Sequence, residues 1–151
     1  MKKLLGILVL GLLFFSNANA EERENELNNL FKQLKNSEAT KAIEIENQIW
    51  KVWSIHPSSD RKGYRLTELL AHGSFLMTQK ELSKAYEVFS QIILADPNWS
   101  EAWNKRATVL YLLGRYEQSQ MDIDEVLKLE KRHFGALSGQ GLVQTELKNY
   151  E

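Results

Sequence analysis

The sequence predicts an all-α solenoid built from helix pairs. Three observations carry that prediction. Apolar residues recur at helical spacing through most of the chain after residue 26. The same pattern returns after 34 residues, and a fixed period of that size marks a stacked-repeat architecture. The 151 residues hold only 2 prolines and 8 glycines, so little interrupts helices.

The first twenty residues are read separately. Met1-Lys2-Lys3 is a short positive start, Leu4 to Phe15 is apolar, and Ala18-Asn19-Ala20 fits a small-x-small cleavage site. Acidic sequence follows at once. This is the layout of a secretory signal. The apolar run is about twelve residues, short of the roughly twenty that span a bilayer. Residues 1–20 are therefore expected to be removed. The mature chain, from Glu21, is expected to be exported, to the periplasm of a bacterium or beyond, with no membrane insertion after cleavage.

Residues 21–62 are expected to form an amino-terminal helical pair and a linker. Leu27, Leu30, Phe31 and Leu34 make one i, i+3, i+4, i+7 stripe, and Ala42, Ile45, Ile49, Val52 and Trp53 make a second. Ser37 is the expected cap of the second helix. The polar stretch His56 to Gly63 reads as the linker.

Residues 63–151 hold the repeats, at 66–99, 100–133 and a partial unit at 134–151. Shifting by 34 sets Leu69 on Trp103 and Leu137, Gly73 on Ala107 and Gly141, Leu82 on Tyr116 and Tyr150, and Phe89 on Ile123. Leu69, Gly73 and Leu76 lie on one stripe of a first helix. After a polar turn (78–81), Ala85, Val88, Phe89, Ile92 and Ile93 make a second helix. Asp96-Pro97 stops it, because proline lacks the N–H and disfavours helical geometry before it. Ser100 is the expected cap of the next helix, and Gly114-Arg115 the turn of the second unit. The small residues Gly73, Ala85, Ala107 and Gly141 are expected where paired helices approach closely. Gly135, Gly139 and Gly141 crowd the third unit, where either close packing or backbone exposed to a ligand would explain them.

These residues resemble the tetratricopeptide repeat, a 34-residue helix–turn–helix family. Gly73, Ala85, Phe89 and Pro97 match its pattern in the first unit. Trp103, Ala107, Gly114 and Tyr116 match it in the second, and Gly141 and Tyr150 in the third. Ser119 and Lys131 depart from it. The segments Glu101 to Thr108 and Arg132 to Leu137 are similar to exported bacterial tetratricopeptide proteins of unassigned chemistry. The resemblance implies a right-handed superhelix of antiparallel helix pairs that binds a peptide or protein segment on its concave face. The residues it places there include Thr67, Leu70, Ser74 and Met77, then Glu101, Asn104, Thr108 and Tyr111, then Ser138 and Leu142. Of a carboxylate-clamping set, Asn104 alone is present.

Composition narrows the chemistry. No cysteine is present, so disulfides, thiol catalysis and cysteine-bound zinc are excluded. Without Lys2 and Lys3 the chain carries 17 Lys and Arg against 20 Asp and Glu, which gives no footprint for nucleic acid. There is no Gly-rich phosphate loop, Gly-x-Ser-x-Gly or His-Glu-x-x-His. His56, His72 and His133 show no ligand spacing, and Asn98-Trp99-Ser100 matches a glycosylation sequon by chance in an inter-repeat turn. No cofactor and no metal are expected. One family position is polar in all three units, at His72, Arg106 and Gln140, and stacking would align them as a ladder. A buried arginine needs a partner. Arg106 is either a core ion paired with Asp122 or Asp124, or a guanidinium gripping a ligand's carboxylate or phosphate. The function expected is a non-enzymatic adaptor binding a protein or peptide partner. The alternatives are an accessory or catalytic fragment of an envelope enzyme, and a structural scaffold that self-associates through an open carboxy-terminal end.

Overall fold

A computed structural model describes residues 20–148 of the chain. The predicted signal segment before Ala20, and Tyr150 and Glu151, lie outside the described residues. The described residues hold seven α-helices. They are α1 (20–35), α2 (Ala39–Ser54), α3 (Arg61–Thr78), α4 (Leu82–Ala95), α5 (Ser100–Leu112), α6 (Tyr116–Leu129) and α7 (Phe134–Lys148). No helix among them is long and apolar enough to cross a membrane. The chain divides into two compact units, Met1–Tyr64 and Arg65–Glu151.

In the first unit the two predicted stripes supply the buried residues Leu27, Leu30, Ile45, Ile49 and Trp53. Phe31 and Trp53 meet at a 48° tilt with 6.0 Å between ring centroids, and Arg23 donates to the Val52 carbonyl at 2.8 Å. Two local expectations fail here. Ser37 does not cap α2: Glu38 holds that position, and the Ser37 hydroxyl donates back to the Leu34 carbonyl of α1. The linker is shorter than its composition suggests, because α3 already starts at Arg61. Asp60 makes that start. Its carboxylate accepts the Gly63 N–H at 2.7 Å, satisfying a donor that a helix start leaves open, and this contact holds its pKa below the usual value.

The second unit shows the 34-residue period in its backbone. α3 turns into α4 with Lys80 at φ 60°, and α5 turns into α6 with Gly114 at φ 71°. At both turns an N–H reaches back to close the preceding helix, Glu81 to Leu76 and Arg115 to Leu110, each at 2.9 Å. The left-handed geometry suits glycine, yet the first turn forms around a lysine. α4 and α6 also end alike, with Asp96 and Glu130 extended and donating to the carbonyls of Ile92 and Val126 at 2.8 Å. Ser100 is not the cap of α5. It is the first helical residue, and Trp99, only 1% exposed, sits at the cap position with extended geometry. Burying the indole, rather than bonding a hydroxyl, fixes that corner.

One core runs through Leu66, Leu70, Leu76, Ala85, Phe89, Ile92, Ile93, Trp99, Ala102 and Val109. A second joins Ala107, Ile123, Val126, Ala136 and Val143. α5 packs against α4, α6 and α7 and is therefore buried on most sides. The close-approach reading is right for Gly73 and wrong for Gly141. A Cβ at Gly73 would meet the fully buried Phe89 ring at 2.5 Å, whereas one at Gly141 would meet no atom within 4 Å. At Gly139 it would touch Ile123 at an ordinary 3.5 Å. Close packing therefore does not account for Gly139 and Gly141.

This contrast is testable by urea unfolding. Gly73→Ala should lower stability by about 1–3 kcal/mol through overpacking against Phe89. Gly141→Ala should raise it by up to about 1 kcal/mol, as alanine in an open helical position does. Equal effects of the two substitutions would contradict this packing.

Candidate functional site

The groove is built from α5, α6 and α7. Asn104, Ala107, Thr108 and Tyr111 come from α5, Ser119 and Ile123 from α6, and Gly135, Ser138, Gly139, Leu142 and Val143 from α7. It encloses about 190 Å³. None of these residues is charged. Five of the residues expected on the binding face meet here: Asn104, Thr108, Tyr111, Ser138 and Leu142. Leu142 stands 53% exposed at the rim. The α6 contributors Ser119 and Ile123 did not figure in the expected face. Their 34-residue match to Ala85 and Phe89 was the available signal, because those positions pack under the neighbouring first helix.

The other expected residues lie elsewhere. Leu70 belongs to the core, at 3% exposure, and Met77 packs against that core. Ser74 is half-buried and donates to the Leu70 carbonyl at 2.9 Å, and Thr67 is half-buried on α3. Glu101 is wholly buried and carries no binding surface.

Glu101 is instead the centre of a polar cluster. Its Oε2 lies 3.0 Å from His133 Nε2, and both side chains are 0% exposed. Asn104 Nδ2 donates to the same oxygen at 3.1 Å, and Lys105 Nζ stands 3.3 Å from Oε1. The Ala136 N–H donates to His133 Nδ1 at 3.3 Å, so the ring proton is on Nε2 and points at the carboxylate. His133 thus caps α7 with one nitrogen and ties it to α5 with the other. Sequence reading missed this role, although His133 falls 34 residues after the equally buried Trp99. Beside it, burial works against the Glu130 carboxylate, but hydrogen bonds from the Arg132 side chain and backbone outweigh that and lower its pKa.

Arg106 lies outside the groove. It binds Asp122 through two parallel hydrogen bonds of 2.7 and 2.8 Å and donates to Ser90 Oγ at 3.2 Å. Its guanidinium also covers the rings of Trp103 at 4.9 Å and Tyr86 at 5.7 Å. The hydrogen bonds to Asp122 raise its pKa further. Of its two expected partners Asp122 is the one used, while Asp124 accepts from Gln120. The expected ladder does not form: His72 is exposed, one helical step off the Gly73 stripe, and Gln140 is half-buried on α7. Arg106 differs because α4 and α6 cover its flank of α5.

A TPR repeat-containing protein of Rhizobium etli is 32% identical over 134 residues, which is 88% of this chain. This is a tetratricopeptide-repeat chain. It spans 63% of the relative's length. No family model matches it. The relationship, with the repeated helix pairs, supports a protein–protein interaction module in general terms.

The arginine pair gives a stability test. Arg106→Ala strands Asp122, which is 4% exposed, and should destabilise the tetratricopeptide unit by about 3 kcal/mol. The double change to Arg106→Leu and Asp122→Leu should recover most of that loss in a denaturation cycle. A double variant as unstable as the alanine variant would show that Arg106 contributes through something other than its ion pair.

Proposed function

We propose that the groove between α5 and α7 binds an extended segment of a protein partner, and that the chain is a non-enzymatic adaptor working after export. The observation that carries this reading is the groove itself. Its lining joins exposed Leu142 to Asn104, Thr108, Tyr111 and Ser138 on one uncharged surface. Concave pockets with apolar walls and a few convergent polar groups are the usual form of a binding site. Two glycines, Gly135 and Gly139, leave α7 backbone open along it. The lining holds no acid, base or cation, which favours binding over catalysis. Export rests on the charged start, apolar run and Ala18-Asn19-Ala20 site.

A second reading, self-association through the outer side of α7, draws on Leu137, 48% exposed, and on the open space around Gly141.

Photo-crosslinking in intact cells separates these readings. A photoreactive residue at 142 should capture a partner, while one at 94, replacing the 87%-exposed Leu94 of α4, should not. The captured product should begin at Glu21 on amino-terminal sequencing. Equal capture at 94 and 142 would remove the groove from the mechanism. A homodimer captured from position 137 alone would favour self-association. An intact Met1 would end the export proposal.

A further inference from the structure

The groove has a fixed hydrogen-bond polarity. Asn104, 7% exposed, places Nδ2 against Glu101 Oε2 at 3.1 Å. A carboxylate oxygen only accepts, so the amide cannot turn around without setting oxygen against oxygen. His133 and Lys105 hold Glu101 in place from its other sides. Asn104 Oδ1 takes no part in that contact, and it is not among the sealed, unpartnered polar atoms of the described residues. One Nδ2 proton is thereby committed to Glu101, and the carbonyl oxygen is left as the acceptor of the amide on the groove wall.

The neighbouring hydroxyls reinforce this polarity. Thr108 donates its proton to the Asn104 main-chain carbonyl at 3.0 Å, and Ser119 donates to the Ala107 carbonyl at 2.8 Å. Each hydroxyl has one proton, so both are left as acceptors. The hydroxyls of Tyr111 and Ser138 can turn either way and add no preference. No lining residue is cationic, and the Glu101 carboxylate lies directly behind Asn104.

We infer that the groove selects hydrogen-bond donors: it takes an internal, uncharged polypeptide segment that offers a backbone N–H beside an aliphatic side chain, and it refuses a carboxylate terminus. Asn104 is the specificity-determining residue and Glu101 the residue that orients it. This inference rests on the groove being the binding surface. A carboxylate placed there would face Asn104 Oδ1 and the committed hydroxyls of Thr108 and Ser119 as acceptors, with no cation in the lining, and a poorly paired buried charge is costly. A buried site built to pair an N–H rejects an analogue that lacks it, because its own polar group is then left unsatisfied.

Three small probes test this on the ¹⁵N-labelled chain by NMR titration. N-acetyl-leucine N-methylamide carries the leucine side chain and a terminal N–H. N-acetyl-N-methyl-leucine dimethylamide has no N–H at all, and N-acetyl-leucine ends in a carboxylate. The first should shift the Asn104 side-chain amide and the backbone amides of Thr108 and Gly139. The other two should bind at least ten times more weakly. Asn104→Leu should bring the ratio between the first two probes close to one, and the comparison on the unaltered chain decides the matter even if that variant does not fold. Groove shifts with N-acetyl-leucine binding as tightly as the N-methylamide would overturn the donor preference alone. Titration with no shifts in the groove for any probe would overturn the groove reading and this inference together.

Discussion

The contact between Glu101 and His133 organises the candidate site. Two polar side chains with no exposure meet at 3.0 Å, one from the first turn of α5 and one from the corner before α7. Removing such groups from water is costly unless each finds partners. Here the partners are themselves structural. The imidazole caps α7 through the Ala136 N–H, and the carboxylate orients Asn104. The start of α7 and the polarity of the groove floor therefore both draw on one buried pair.

The opposite flank of α5 is held differently. There Arg106 joins α5 to Asp122 of α6 and Ser90 of α4, so one guanidinium ties three successive helices. Together the two clusters make α5 the most restrained helix of the second unit, with apolar packing along Ala102, Val109 and Leu110. α7 has less support. Its helix includes three glycines, and its outer side leaves Gly141 in open space. A helix of low intrinsic propensity depends on tertiary contacts, and for α7 these are Val143, Ala136 and the His133 cap.

Much of the fold was legible because period and stripe are one-dimensional signals. The offset of 34 that sets Gly73 on Ala107 in sequence marks a first helix where, at Gly73, the Phe89 ring packs close, and Asp96-Pro97 ends α4 where proline requires. Local capping was less legible. Ser37 and Ser100 have the right chemistry for caps, but the Ser37 hydroxyl is spent on the Leu34 carbonyl and Glu38 takes the cap position, while Trp99 takes the other because burying a tryptophan outweighs one hydroxyl hydrogen bond. The site was half legible. Asn104, Thr108, Tyr111, Ser138 and Leu142 meet in the groove, while Leu70 and Glu101 sit inside the protein. Family position alone cannot separate a glutamate that lines a groove from one that pairs behind it. His133 carried no motif, and its role appears only when α5 and the α6–α7 corner are brought together.

Hydrogen exchange on His133→Phe measures the organising contact most directly. Phenylalanine keeps an aromatic ring but removes both the cap of α7 and the donor to Glu101. Amides across 136–148 should exchange at least tenfold faster than in the unaltered chain, while those in α4 keep their protection. Unchanged protection in α7 would mean that apolar packing alone holds it, and that the buried pair does not organise the groove.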